Sequence, residues 1–288
     1  MDFILIVLLQ IVGVVGNLAL VSVGLAVIFG MMRVINLAHG EFIMLGGFAA
    51  IFSVQAGVNI WFAMLVIAPL SVAAIGVLVE RLVMRRLYGR MVDTMLASWG
   101  LSLLLIGLAT TFFGNRVVGI AAPAGNFRIG DFSLAAYDFL LTGIVVLVFA
   151  SGYVVLRFTR FGLVARATMQ NQEMAASLGI EPSRVYAVTF AIGSALSGLA
   201  GGLLAPISGV LPTMGVAYVA KAFITVITGG ASVITGTALS SSLLGGINAI
   251  STFVSTPVLG DVALLLAAII FLRLLPTGIT GRIFRGAP

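Results

Sequence analysis

The 288-residue chain contains no cysteine, one histidine (His39) and one lysine (Lys221). Without cysteine there is no disulfide, thiolate nucleophile, iron–sulfur cluster or thiolate zinc site. A single histidine cannot form a His-pair metal motif, and intramembrane Ser/His chemistry would have to use His39 alone, so no metal site and no catalytic residue are expected. Lys221 follows Ala220. The Gly-Lys pair of a Walker A loop is therefore missing, and the chain is no P-loop ATPase. Charge is equally scarce. Charged residues make up 8% of the chain, against roughly 25% in soluble domains. Too few solvated groups remain to cover a globular surface, which excludes a soluble enzyme, a nucleic-acid-binding domain and a disordered tail protein.

Hydrophobic residues fill 61% of the chain, and its mean hydropathy is +1.23. A transmembrane helix needs about 20 apolar residues, so a span with its loop uses roughly 30. The length then predicts eight to ten spans in an all-α polytopic membrane protein. Barrel strands alternate in polarity, and these runs do not. The 35 glycines suit close helix approach in lipid. Nine apolar runs separate at charges and Gly/Pro/Asn clusters: residues 4–29, 41–57, 61–80, 94–113, 139–156, 186–205, 217–228, 237–254 and 262–275. The first is long enough to tilt or hide a break, and the seventh is short for a crossing. Chain 1–288 reads as one transmembrane domain, with residues 159–183 as its longest polar connection.

The 15 cations are 14 arginines and Lys221. Arg33, Arg81, Arg85, Arg86, Arg90, Arg157, Arg160, Arg166, Arg184, Arg273, Arg282 and Arg285 fall on one side of the predicted spans. Only Arg116 and Arg128 fall on the other. By the positive-inside rule the N-terminus is expected outside and the C-terminus inside, as nine spans require. Met1-Asp2 lacks the positive start of a secretory signal, so no removable signal is expected here.

Three regions carry functional expectations. Asn36-Leu37-Ala38-His39-Gly40-Glu41 is the most polar stretch beside a membrane run. An ionisable group at mid-bilayer costs roughly 2.5–3.5 kcal/mol. His39 and Glu41 are therefore expected at an interfacial turn, with Glu41 favoured at a helix N-terminus; lining a translocation path is the alternative. The Gly-rich stretch Thr228–Gly236, with Gly229 and Gly230 and the nearby Thr225, would be its counterpart in the second half, because paired Gly-interrupted segments point to transporter sites. In the 159–183 connection, no strong helix breaker lies between Leu163 and Leu178, Gly179 is a C-terminal stop, and Pro182 delays the next helix. Met174, Ala175 and Leu178 give this helix a small apolar face, for lipid or for a cytoplasmic partner. Finally, Gly193, Ser197 and Gly201 form one small-residue row on the sixth span, and Ser194, Gly198 and Gly202 form the next. Such rows serve close helix packing or a subunit interface.

The motifs match one family in order. Ile35–Phe42 with Leu45-Gly46, Leu96-Ala97-Ser98-Trp99-Gly100-Leu101-Ser102, Thr159-Arg160-Phe161-Gly162 through Gly179-Ile180, Thr189–Gly201 and Leu275-Pro276-Thr277-Gly278-Ile279 together resemble the permease subunits of branched-chain amino-acid type ABC importers. The LivH-type half fits better than the LivM-type half, since the chain is short and lacks an N-terminal extension. The resemblance implies a bacterial inner-membrane subunit that pairs with a LivM-like permease and two cytoplasmic ATPases, which bind ATP and Mg. A periplasmic binding protein would deliver substrate. It also implies ATPase coupling through Arg166, Gln170, Asn171, Glu173, Ala175, Ala176 and Gly179. Leu87-Tyr88-Gly89-Arg90 and Met169–Gly179 are similar to the urea and short-amide branch as well, so branched-chain or related amino acids rank first and urea or amides second. A stand-alone channel or ion-coupled carrier is the reading of another class, and the spans hold no spaced series of charges to support one.

Overall fold

In lipid, a backbone must satisfy its own hydrogen bonds, so long apolar runs fold as helices. The computed structural model describes residues 2–129, 132–230 and 232–283, with the backbone alone at residues 2–6, 127–134, 282 and 283. Ala231 and Arg285, within regions named above, lie outside the described residues. The chain order begins with α1 (Asp2–Met32) and α2 (His39–Gln55). A short α3 (Ile60–Phe62) runs through a π-helical turn, Ala63–Ile67, into α4 (Ala68–Leu82). Then come α5 (Met91–Phe113), β1 (Asn126–Ile129), β2 (Phe132–Ala135), α6 (Ala136–Phe158), α7 (Arg160–Gln170) and α8 (Gln172–Ser177). The chain continues with α9 (Pro182–Ser208), α10 (Met214–Gly229), α11 (Val233–Val254), α12 (Pro257–Leu274) and α13 (Gly278–Ile283).

Among the described residues, seven segments are long and apolar enough to cross a membrane: Val7–Met32, Ile60–Arg86, Met91–Phe113, Ala136–Phe158, Pro182–Ser208, Val233–Val254 and Pro257–Gly281. The chain is thus a polytopic helical membrane protein. α2, with 17 residues, and α10, with 16, are shorter apolar helices. Each expected apolar run falls largely on helix.

One open alternative is settled and three details differ from the sequence reading. The first run hides no break, because α1 is continuous. Residues 126–135, expected to be loop, form an antiparallel hairpin in which Phe127 pairs with Leu134 and Ile129 with Phe132. The all-α expectation overlooked this alternation of apolar and polar residues around Gly130-Asp131, itself a hairpin dipeptide by sequence. Pro182 does not delay a helix but opens α9 at its first position, where its missing N–H is no loss. The helix expected from Leu163 to Leu178 breaks at Asn171, whose backbone is extended. Its side-chain oxygen accepts from Met174 N at 2.9 Å, so an amide that competes with the helical backbone ends α7 and caps α8.

The chain forms two compact units. One comprises Val23–Ala121 and Ser151–Ala220. In it α2, α4 and α9 pack together, and Met44, Phe48, Ile51, Ala109, Ala205 and Val210 form a buried cluster. Phe113 lies 4.4 Å from Phe48 and 4.8 Å from Phe52, ring centre to ring centre. The other comprises Met1–Ser22, Ala122–Ala150 and Lys221–Pro288. There α11 packs on α12, around Leu18, Leu244, Leu264 and Ala268. Its Lys221 Nζ sits 2.8 Å from Asp261 Oδ1, to which Asn248 Nδ2 also donates at 2.9 Å.

Candidate functional site

The small residues of α9 set how closely its neighbours approach. A Cβ at Gly193 would lie 2.8 Å from the Gly24 carbonyl of α1, and one at Gly201 would lie 2.7 Å from Gly47 N of α2. A Cβ at Gly198 would lie 2.6 Å from the Ala68 carbonyl, and one at Gly202 would meet Ala68 and Met64. The Gly193/Ser197/Gly201 row therefore seats α1 and α2. The Ser194/Gly198/Gly202 row seats the Ile60–Leu82 segment, with Ser194 against Gly76 of α4. All six are buried inside one unit, and each meets helices of its own chain.

This packing positions the polar turn. α1 ends at Met32, and Arg33 takes a left-handed backbone, φ +53°. Asn36 Oδ1 accepts from Ala38 N at 3.1 Å, an Asx turn that leads into α2. Ser98 of α5 braces the same turn, accepting from Leu37 N at 3.0 Å and reaching the Ile35 carbonyl at 3.2 Å. Asn36, His39, Gly40 and Glu41 are all buried. Ser197 Oγ donates to the Gly193 carbonyl at 2.9 Å and lies 3.1 Å from His39 Nδ1. Glu41 lies in the first turn of α2 and is 0% exposed. The bracing role of Ser98 was not anticipated, because no local spacing links it to residues 35–37.

Thr225, Gly229 and Gly230 belong to the other unit. Thr225 Oγ1 donates to the Lys221 carbonyl at 2.8 Å. Gly229 is packed against Gly236, and Gly230, φ +84°, against Thr277 and Gly278. Thr280 Oγ1 donates to the Gly229 carbonyl at 2.6 Å. These residues form a tight knot between α10, α11 and α13, with no open space at their glycines.

The connection between α6 and α9 is built from caps. Thr159 caps α7 through Gly162 N at 3.1 Å. Gly162 admits the carbonyls of Val155 and Leu156, which a Cβ would overlap. α8 ends in a Schellman motif, with Gly179 N donating to Ala176 O at 3.0 Å and Ile180 N to Ala175 O at 3.1 Å; Gly179 supplies the positive φ, +84°, that the motif needs. Ala175 is buried, whereas Met174 is 60% and Leu178 76% exposed. Gln170, Asn171, Glu173 and Ala176 are exposed too, and Arg166 is half-buried. Behind α8 runs a polar chain that the sequence did not reveal. Tyr186 donates to Gln172 Oε1 at 3.2 Å, and its ring meets Tyr88 edge-on at 5.0 Å. Tyr88 donates to Glu80 Oε1 at 2.6 Å, and Glu80 is fully buried at the end of α4. Burial, and then the Glu80 bond, push the Tyr88 phenol well above its ordinary range, so it stays a donor. The eight-residue gap between Glu80 and Tyr88 crosses a turn, which hides the pair from any helical spacing rule.

These features define a multi-pass helical membrane protein with a glycine-packed core and an exposed, doubly capped connecting helix. The chain belongs to the family described as branched-chain amino acid transport system, permease component, whose model matches residues 7–275. It is a transport subunit and not an enzyme. It is 29% identical over 286 residues to the high-affinity branched-chain amino acid transport system permease protein LivH of Salmonella typhimurium, covering 92% of this chain and 91% of that one. The same figures hold for LivH of Escherichia coli K12. It is 28% identical over 283 residues to the permease protein BraD of Pseudomonas aeruginosa, again covering 92% and 91%. Among solved structures, a chain of PsaBC from Streptococcus pneumoniae in complex with Fab is similar with a TM-score of 0.49 and 17% sequence identity, covering 92% of this chain and 88% of that one.

Proposed function

We propose that this chain is one permease half of an ATP-driven, binding-protein-dependent importer for branched-chain or related amino acids, in a bacterial inner membrane. The family match across residues 7–275 carries the reading, and the relatives' names supply the substrate class. The working complex adds a LivM-like permease, two cytoplasmic ATPases that bind ATP and Mg, and a periplasmic binding protein. Residues 1–288 act as one permease domain with the N-terminus periplasmic and the C-terminus cytoplasmic, an orientation supported by the twelve-to-two division of arginines. In that orientation residues 159–183 are cytoplasmic, and α8 presents Met174 and Leu178 to an ATPase groove. The capped ends of α8 and its polar chain to Glu80 would hold that helix rigid against α4 and α9, so that a push on α8 moves a transmembrane pair. The path runs through a mostly apolar, glycine-lined interface with the partner permease, with polar contacts from Asn36–Glu41 and Thr225–Gly236.

The test is uptake of radiolabelled L-leucine into proteoliposomes that contain the complete importer. ATP-dependent uptake that requires the binding protein is expected. Uptake by this chain without ATPases would establish a channel or carrier instead, and uptake of urea but not leucine would move the substrate to the amide branch.

A further inference from the structure

Two acidic side chains are fully buried among the described residues, Glu41 and Glu80. Glu80 has the Tyr88 hydroxyl on one oxygen. Neither oxygen of Glu41 has a hydrogen-bond partner. The Ser102 hydroxyl of α5 and the Glu41 backbone N–H both approach the carboxyl group, but neither reaches it with full hydrogen-bond geometry. A buried carboxyl without a full hydrogen bond ionises only at a cost.

Two helix N-termini converge on it. Glu41 lies in the first turn of α2. The first turn of α10 arrives at the same place: a Cβ on Gly215 would lie 2.9 Å from Glu41 Oε1 and 2.8 Å from Glu41 N. A Cβ on Gly40 would in turn lie 2.7 Å from Gly215 Cα. Each N-terminus contributes roughly half a positive charge. Their fields lower the cost of ionising it, but they do not occupy its lone pairs. Such a group is an acceptor site that awaits a cation bearing N–H donors. In the same turn, the buried Asn36 Nδ2 is a donor without an acceptor, while its Oδ1 is committed to Ala38 N. The turn thus holds one unused acidic acceptor and one unused neutral donor, the two kinds of group that the ends of a zwitterion require.

We infer that Glu41 receives the α-ammonium group of an amino-acid substrate during translocation and that Asn36 Nδ2 donates to its α-carboxylate. This rests on the importer reading above. In this structure the subsite is shut, because Gly40 and Gly215 bring the ends of α2 and α10 into backbone contact. Separating those ends opens it. A lone carboxylate balanced by helix dipoles binds an ammonium weakly enough to release it, which a site built from several charges would not.

Two measurements on the complete importer test this. In proteoliposomes, Glu41→Gln keeps the shape and removes the charge. It is expected to lower L-leucine uptake at least tenfold while subunit assembly stays normal, and Glu41→Asp is expected to retain part of the activity. Wild-type uptake by Glu41→Gln would overturn the inference, whereas a wild-type complex that takes up no leucine overturns the importer reading instead. The second measurement needs no variant. Under turnover, a membrane-permeant carbodiimide should modify Glu41 of the wild-type complex, read by the mass of its peptide. L-Leucine should slow that modification at least threefold, and 2-hydroxy-4-methylpentanoate, which lacks the ammonium, should not. Equal protection by both compounds, no protection by either, or a Glu41 that is never modified during turnover would each overturn it.

Discussion

Replacing Gly201 with alanine adds one methyl group where two helix backbones touch. The Cβ would overlap the Ile43 carbonyl oxygen and would lie 2.7 Å from both Gly47 N and the Ile43 carbonyl carbon, against 3.4 Å for ordinary contact. The shortfall is at least 0.7 Å and involves backbone on both sides, so no rotamer change can relieve it. α2 and α9 must separate along their length, which opens the small-residue contacts at Gly46 and Gly198 as well. Overpacking of a well-fitted core costs about 1–3 kcal/mol. A clash with immobile backbone belongs at the top of that range, about 3 kcal/mol. At Gly100 and Gly107 in α5, an added Cβ would meet nothing within 4 Å; alanine there removes backbone freedom from the unfolded chain and is expected to stabilise by about 0.5–1 kcal/mol. Thermal unfolding of the detergent-purified protein, followed by near-ultraviolet circular dichroism, should therefore rank Gly100→Ala at or above wild type and Gly201→Ala several degrees below it. A Gly201→Ala protein that melts within a degree of wild type would refute the argument that backbone contact holds α2 on α9.

Other expectations follow from the same geometry. Tyr88→Phe removes the hydroxyl from the buried Glu80 and leaves a carboxylate unsatisfied, at a cost of about 1–3 kcal/mol; the same melting assay reads it, and a Tyr88→Phe protein as stable as wild type would exclude a structural role for the bond. Met174→Asp and Leu178→Asp place charges on the exposed apolar face of α8 and should abolish binding-protein-stimulated ATP hydrolysis in the reconstituted importer without affecting membrane insertion. Unaltered stimulation would show that α8 is not the coupling element. Asn171→Ala removes the cap of α8 and should cost about 1 kcal/mol of local stability, seen as faster amide exchange at Met174, and unchanged exchange there would show that the cap contributes nothing. For orientation, Gly125→Cys should react with a membrane-impermeant maleimide in intact spheroplasts and Arg86→Cys should not, both positions being exposed; the reverse pattern would invert the topology.

Hydropathy adds up locally along a chain, and lipid leaves an apolar segment little choice but helix. The apolar runs, the helical class and the family signature in Ile35–Gly46 were therefore legible in the residues alone. So was the stop at Gly179, because a positive φ is a local demand that glycine meets. Local rules failed where a side chain competes with the backbone, as Asn171 does in splitting α7 from α8, and where a short alternation is masked by longer apolar neighbours, as at residues 126–135. The two small-residue rows of α9 were visible as rows, but spacing alone could not say that one seats α1 and α2 and the other the Ile60–Leu82 segment, since helix pairing is a property of surfaces that meet in space. The same holds for the two buried carboxylates. Glu80 and Glu41 look alike in sequence, each an acid beside an apolar run. Only the tertiary structure gives one of them a tyrosine from eight residues away and sets the other, without a partner, between the N-termini of two helices whose sequences lie more than a hundred residues apart.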